Sequence, residues 1–370
     1  IALWAMFSIG RRTGFKWLPL LMAVQPFFWF YMDQARPYVS QIAGGALLAW
    51  VIAVACRDVG ASGKWLLGFS LAALGAFMTS MLTGTTIAAV FVACIIWGGV
   101  PSWEKTKKQI LALSLTWMLC LILAAYFVWT VLRGAEGARI WVMDWKATAF
   151  IAYELLGCVG LGPSIEELRT AASVSQFTTL TGRLLLPLLL VFTVSILGIF
   201  YSFRSTKPLE GEKQHFRACF IVLSLVAALL VLISIAIYKP LWARHFSSVL
   251  PFLVCIEGYW ISRAWGTGSV PMRALVSLFL TLLFASSLMV RFSPYFEKDD
   301  YRTATALALT ALSKGNDVWW CAAEYTGVFY DLPVDTNGRL STRAARVPRH
   351  YSDHTFQKMP HPNLIIITRP

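Results

Sequence analysis

Charge is scarce in this sequence. Only 14% of its 370 residues are Asp, Glu, Lys or Arg, against about 25% in a soluble protein. The shortage excludes an ordinary soluble domain and points to a lipid bilayer as solvent. Acidic residues are the scarcer sign, 19 against 32 Lys and Arg, so the net charge is +13. A nucleic-acid binder would gather that excess on a soluble face. Here nearly all of it falls within residues 1–291, in short loops between apolar runs, so no nucleic-acid partner is expected. The seven cysteines lack the C-x2-C or H-x3-H spacing of a metal centre. No metal and no cofactor is therefore expected, with a divalent ion left open. Cys56, Cys94, Cys120, Cys219 and Cys255 fall in or beside apolar runs, where Cys acts as a small hydrophobe. Cys158 and Cys321 fall in outer segments, where a disulfide between them is an option. Internal repeats are absent, which counts against a transporter built from related halves.

What is abundant is apolar length. Runs able to form spanning helices occur at about 17–32, 40–56, 65–79, 84–99, 109–132, 184–203, 218–238, 248–262 and 274–290. The block 65–99 would reach roughly 50 Å as one helix, against about 30 Å of hydrocarbon. A turn is therefore expected near Thr79–Thr86. The stretch from Ile1 to Gly10 is about half a spanning length and reads as the tail of a helix that begins upstream. The fold class expected is mainly α: a polytopic transmembrane helical bundle over 1–291, followed by a small α/β extracytoplasmic domain over 292–370.

Alternate loops differ in charge. Lys and Arg gather at 11–16, 57–64, 104–108, 204–217 and 263–273, whereas the short loops between carry only Arg36, Lys239 and Arg244. Short basic loops stay cytoplasmic. This assigns 33–39, 133–183, 239–246 and the tail to the outer, non-cytoplasmic side of the membrane. In 133–183, Trp141, Trp145, Phe150, Ile151, Tyr153 and Leu155 read as an interfacial helix, either a packed loop or a cavity wall. Ser164 to Glu167 reads as a capping box. Asp144 and Glu154 could touch acceptor, though carboxylates in such a segment are more commonly solvated loop charges. Glu257 falls inside a helix near its cytoplasmic end, within reach of water. In the tail, helices are expected at 300–312, with Ala304, Leu307 and Leu312 on one face, and at 322–330. Strands are expected at 317–321 and, buried, at 364–368, with loop over 336–361.

Two outer loops concentrate unusual residues. Tyr31 to Tyr38 contains Asp33 and Arg36 and follows a proline-broken run. Tyr238 to Phe246 contains Lys239, Arg244 and His245. Cations at a membrane interface suit a lipid phosphate, which Arg grips bidentately and Lys meets as a point charge. They also suit simple snorkelling to the headgroups, and Asp33 could pair with Arg36.

The stretch QPFFWFYMDQARPY resembles a signature of bacterial glycosyltransferases related to the dolichyl-phosphate-mannose protein mannosyltransferases. KPLWARHFSSVLP is similar to that family's second outer motif, and KDDYRTATALALTAL…GNDVWW to the start of its small outer domain. The resemblance runs in order from about Pro26 to Trp320. It implies inverting transfer of a sugar from a polyprenyl-phosphate lipid to an acceptor glycan, lipid or protein at the outer membrane face. It further implies a donor phosphate held by Arg244, Lys239, His245 and Arg36, with Asp33 and Tyr38 beside the substrate. The family's acidic catalytic base belongs to a first outer loop upstream of Ile1, so no catalytic residue is named. His245 stands where many members carry Tyr. The alternatives are an O-antigen ligase or polymerase, a multi-spanning transporter, and a non-catalytic remnant.

Overall fold

A computed structural model describes residues 1–32, 38–57, 64–99, scattered positions between 107 and 129, 151–162, 185–204, 210–237, 243–267, 269–293, 300–322, 324–335, 344–348 and 361–367. The chain divides into two compact units, Ile1–Ser293 and Pro294–Pro370.

The first unit is helical. Helix α1 is Ala2–Thr13, so Arg11 and Arg12 belong to its last turn and not to a loop. The run 17–32 is two short helices, α2 Leu18–Val24 and α3 Pro26–Met32. Gln25 between them is extended, with φ −71° and ψ 117°. A residue preceding proline is pushed out of the helical region, which is why one expected span is broken here. Then follow α4 Tyr38–Ala55, α5 Lys64–Thr79 and α6 Thr83–Gly98, the last two separated at the expected turn. After a 3-10 turn at Val159–Leu161 come α7 Leu185–Arg204 and α8 Glu210–Ile237. A 3-10 segment, Ala243–Val249, leads into α9 Leu250–Thr267 and α10 Val270–Phe292. Helices α8 and α9 extend into the loops expected at 204–217 and 263–273, α8 starting at Glu210 and α9 running to Thr267.

By length and composition, Tyr38–Ala55, Glu212–Ile235 and Val270–Phe292 can cross a membrane, and α5, α6 and part of α7 are shorter apolar helices. Exposed Leu71, Phe200 and Leu232 leave apolar surface on the outside of this unit, as a lipid-facing surface requires. The interior is built around α4, which packs on α1, α5, α6, α9 and the 3-10 segment. Two glycines set the closest approaches. A Cβ at Gly45 would stand 2.0 Å from the Ser248 carbonyl oxygen, and one at Gly160 would stand 2.0 Å from that of Ser286. The segment around Gly160 is further tied to α10: Ser286 Oγ accepts from the Gly160 N–H at 3.0 Å and donates to the Gly157 carbonyl at 2.6 Å.

Residues 151–155 are helical, but Ile151, Tyr153 and Leu155 are buried. This turn is part of the packed interior and not a helix floating at the interface. Trp141, Trp145, Phe150, Asp144 and the capping box at 164–167 lie outside the described residues. Cys158 and Cys321 are both free thiols.

The second unit carries α11 Tyr301–Ser313, β1 Val318–Trp320, α12 Glu324–Phe329, β2 Val334–Asp335, β3 Ala345–Arg346 and β4 Leu364–Ile366. All described pairings are parallel, in the order β2-β3-β1-β4. Asp300 caps α11 by accepting from the Thr303 N–H at 3.0 Å, a standard N-cap arrangement. The face of α11 turned to the core is Ala304, Ala308, Ala311 and Leu312, and Leu307 points outward at 55% exposure. Strand β3 arises within the stretch expected to be loop. It is only two residues long, below the length at which alternation is readable. Strand β4 is expected to be buried, but among the described residues it stands at the edge of the sheet with Ile365 exposed.

Arg346, 3% exposed, pairs with Asp317 at 2.8 Å. Removing one partner of a buried pair leaves an uncompensated charge. Asp317→Ala should therefore destabilise this unit by roughly 3 kcal/mol, measured by thermal unfolding. Arg346→Met, which removes the charge and keeps volume, should cost far less.

Candidate functional site

Residues 33–37 are bracketed in sequence by Tyr31, at the end of α3, and Tyr38, at the start of α4. The two rings meet edge-on with centroids 5.1 Å apart, and both side chains are buried. Phe27 and Phe30 pack on Tyr31 at 4.6 and 5.0 Å. This aromatic packing fixes Tyr31 so that its hydroxyl donates to Glu154 Oε2 at 3.4 Å. Glu154 is 1% exposed. It is not a solvated loop charge, because the turn carrying it is held against α10 by Gly157 and Gly160. Tyr31 also lies within electrostatic reach of Arg244. Tyr31, Tyr38 and Glu154 thus form one cluster, and Arg244, more than 200 residues from Tyr31 in sequence, is close enough to act on it electrostatically.

The 3-10 segment positions Arg244 and His245. Ser247 Oγ donates to the Arg244 carbonyl at 2.7 Å, and Ser248 Oγ bonds Thr86 Oγ1 at 2.7 Å in the interior. Close packing on Gly45 completes the seat. The backbone is buried while Arg244 and His245 remain half-buried. Arg36, Asp33 and Lys239 lie outside the described residues.

No family model, no curated protein and no solved structure matches this chain. The functional reading therefore rests on the residues themselves.

Burial, with the Arg244 charge adding to it, pushes the His245 imidazole down from 6.5 to about 4. At neutral pH His245 is an uncharged donor–acceptor beside Arg244, not a third cation. The sign follows from linkage. The unfolded chain takes up a proton near pH 6.5 while the folded chain resists until about pH 4. The contribution is complete above pH 6.5 and is lost as pH falls through that window. Replacing His245 with Gln should flatten the fall in melting temperature between pH 7 and pH 4.

A second polar group sits deeper. Glu257, on α9, is 6% exposed, so it does not reach water as expected from its position near a helix end. Neither of its oxygens, nor Ser195 Oγ, nor Trp260 Nε1 meets a hydrogen-bond partner among the described residues. A void of about 10 Å³ lined by Leu156, Ser195, Glu257, Trp260 and Phe279 adjoins them, the size of roughly one water. Gln25, fully buried at the α2–α3 break, likewise has no hydrogen-bond partner for its amide among the described residues. Sequence reasoning singled out Glu257 and Glu154 but missed that both are buried. An acidic residue inside an apolar helix is a signal in itself, but burial of Glu154 depends on packing that sequence does not display.

Proposed function

We propose that the chain is a polytopic membrane glycosyltransferase that moves a sugar from a polyprenyl-phosphate donor to an acceptor on the outer face of a bacterial plasma membrane, with inversion. The observation that carries this reading is the convergence of Arg244 with Tyr31, Tyr38 and Glu154, since these residues come from the two outer motifs and from the long outer segment. Support also comes from the order of motifs along the chain and from the apolar helices that flank them.

In this reading the acceptor hydroxyl attacks the anomeric carbon, and a new glycosidic C–O bond forms as the bond to the phosphate oxygen breaks. The acceptor proton goes to a carboxylate acting as general base. The departing lipid phosphate gains negative charge, which Arg244 stabilises. His245 adds a neutral hydrogen bond, and Lys239 and Arg36 add charge. Glu154 orients Tyr31 and acts as a positioning residue. The small α/β unit lies on the outer side.

Deleting the gene should cause a polyprenyl-phosphate sugar to accumulate in the lipid fraction, read by mass spectrometry. An unchanged lipid pool in the deletion strain, when the parent strain is shown to express the protein, would contradict the proposal. One observation favours a transporter as second reading: the buried Glu257 with no hydrogen-bond partner among the described residues, of the kind that marks ion pathways. Glu257→Gln should leave sugar transfer intact if the first reading holds.

A further inference from the structure

His215 and Cys219 are one turn apart on α8 and so share a face. Cys255 comes from α9, which packs on α8. The imidazole nitrogen and the two thiol sulfurs lie within 4.8 Å of one another, and all three residues are buried, at 1%, 0% and 1% exposure. Cys219 Sγ is 3.7 Å from His215 Nε2. A tetrahedral zinc centre, with Zn–S about 2.3 Å and Zn–N about 2.0 Å, separates its N and S ligands by about 3.6 Å. Buried cysteines alone are ordinary packing. What sets this group apart is a buried imidazole beside two thiols, with its ring also hydrogen-bonded to the backbone of Ala49 on α4. Metal-ligating histidines are oriented by such a bond from the second ring nitrogen.

We propose that His215, Cys219 and Cys255 form a site for a borderline-soft divalent ion of the zinc class, independent of the outer phosphate site. Charge selects the ion. Two thiolates and a neutral imidazole cancel a divalent cation, so the loaded centre is neutral, whereas a monovalent soft ion would leave a net negative charge in a low-dielectric interior. Thiolate ligands disfavour magnesium and calcium. Binding forms two M–S bonds and one M–N bond and releases the two thiol protons to water.

Access exists on one side. A cavity of about 230 Å³ is lined by Arg12, Cys56, Arg57, Glu212 and His215, among others. It lies at the ends of α1 and α4 that the basic loops assign to the cytoplasm. Cys56 on its wall is an electrostatic neighbour of Cys219 but stands outside the three-ligand group. Three protein ligands leave the fourth position of a tetrahedral ion for water from this cavity.

The test uses the full-length protein in detergent, stripped with a chelator and reloaded with Zn2+ or Co2+ alone. Stoichiometric uptake is expected, with a thiolate-to-metal charge-transfer band in the Co2+ form. X-ray absorption of the zinc-loaded wild type should show two sulfurs at about 2.3 Å and nitrogen at about 2.0 Å. Cys219→Ser and Cys255→Ser should lose uptake, whereas Cys321→Ser, in the other unit, should retain it. The absorption measurement needs no variant, so it decides even if the substitutions unfold the protein. Failure of the wild type to take up stoichiometric metal, or a shell of only nitrogen and oxygen, would overturn the site. Neither result bears on sugar transfer, which is read separately.

Discussion

Arg244→Ala in the full-length protein should lower sugar transfer from the lipid donor by at least about 100-fold, the range seen when one prearranged donor to a developing anion is removed. Arg244 is half-buried, and its backbone is held by Ser247, Ser248 and Gly45. Expression and melting temperature should therefore change little. Arg244→Lys should recover only part of the loss, because an ammonium supplies a point charge without the bidentate fork. The readout is turnover with purified polyprenyl-phosphate sugar. Normal turnover in Arg244→Ala would remove Arg244 from the site.

Gly45→Ala should be among the most damaging small substitutions in the helical unit. The added methyl would meet the Ser248 carbonyl at 2.0 Å, and backbone cannot swing aside as a side chain does. Overpacking of this kind costs roughly 1–3 kcal/mol. It would also displace the segment that carries Arg244, so activity should fall together with melting temperature. Gly75→Ala is the control. Nothing lies within 4 Å of its added Cβ, so it should be neutral or stabilise α5 by about 0.5–1 kcal/mol. If both substitutions behaved alike, close contact between α4 and the 3-10 segment would not be what seats Arg244.

Elements that follow from chain-local chemistry were readable in the sequence. The α5–α6 turn shows in a cluster of Thr and Gly, and the capped helix after Asp300 shows in its own pattern. Helix limits at 210 and 267 were less readable, because charged residues near a membrane helix continue it as readily as they end it. Burial of Glu154 was not readable. It depends on Ser286 and Gly160 meeting across 126 positions of sequence, a contact with no local signature. The neutral state of His245 also escaped, since position in an outer loop suggests hydration while the fold removes much of it. The H-x3-C pair at His215 and Cys219 was visible. It went unread because its third member, Cys255, lies on a different helix.

The central claim is that Arg244, beside Tyr31, Tyr38 and Glu154, holds a lipid-borne phosphate. The most direct measurement is equilibrium binding of a polyprenyl monophosphate to the full-length protein in nanodiscs of neutral lipid, wild type against Arg244→Ala. Saturable binding that is lost in the variant and unaffected by replacing Cys321 with Ser is the predicted result. Binding of equal strength in wild type and Arg244→Ala, or none in either, would contradict the account.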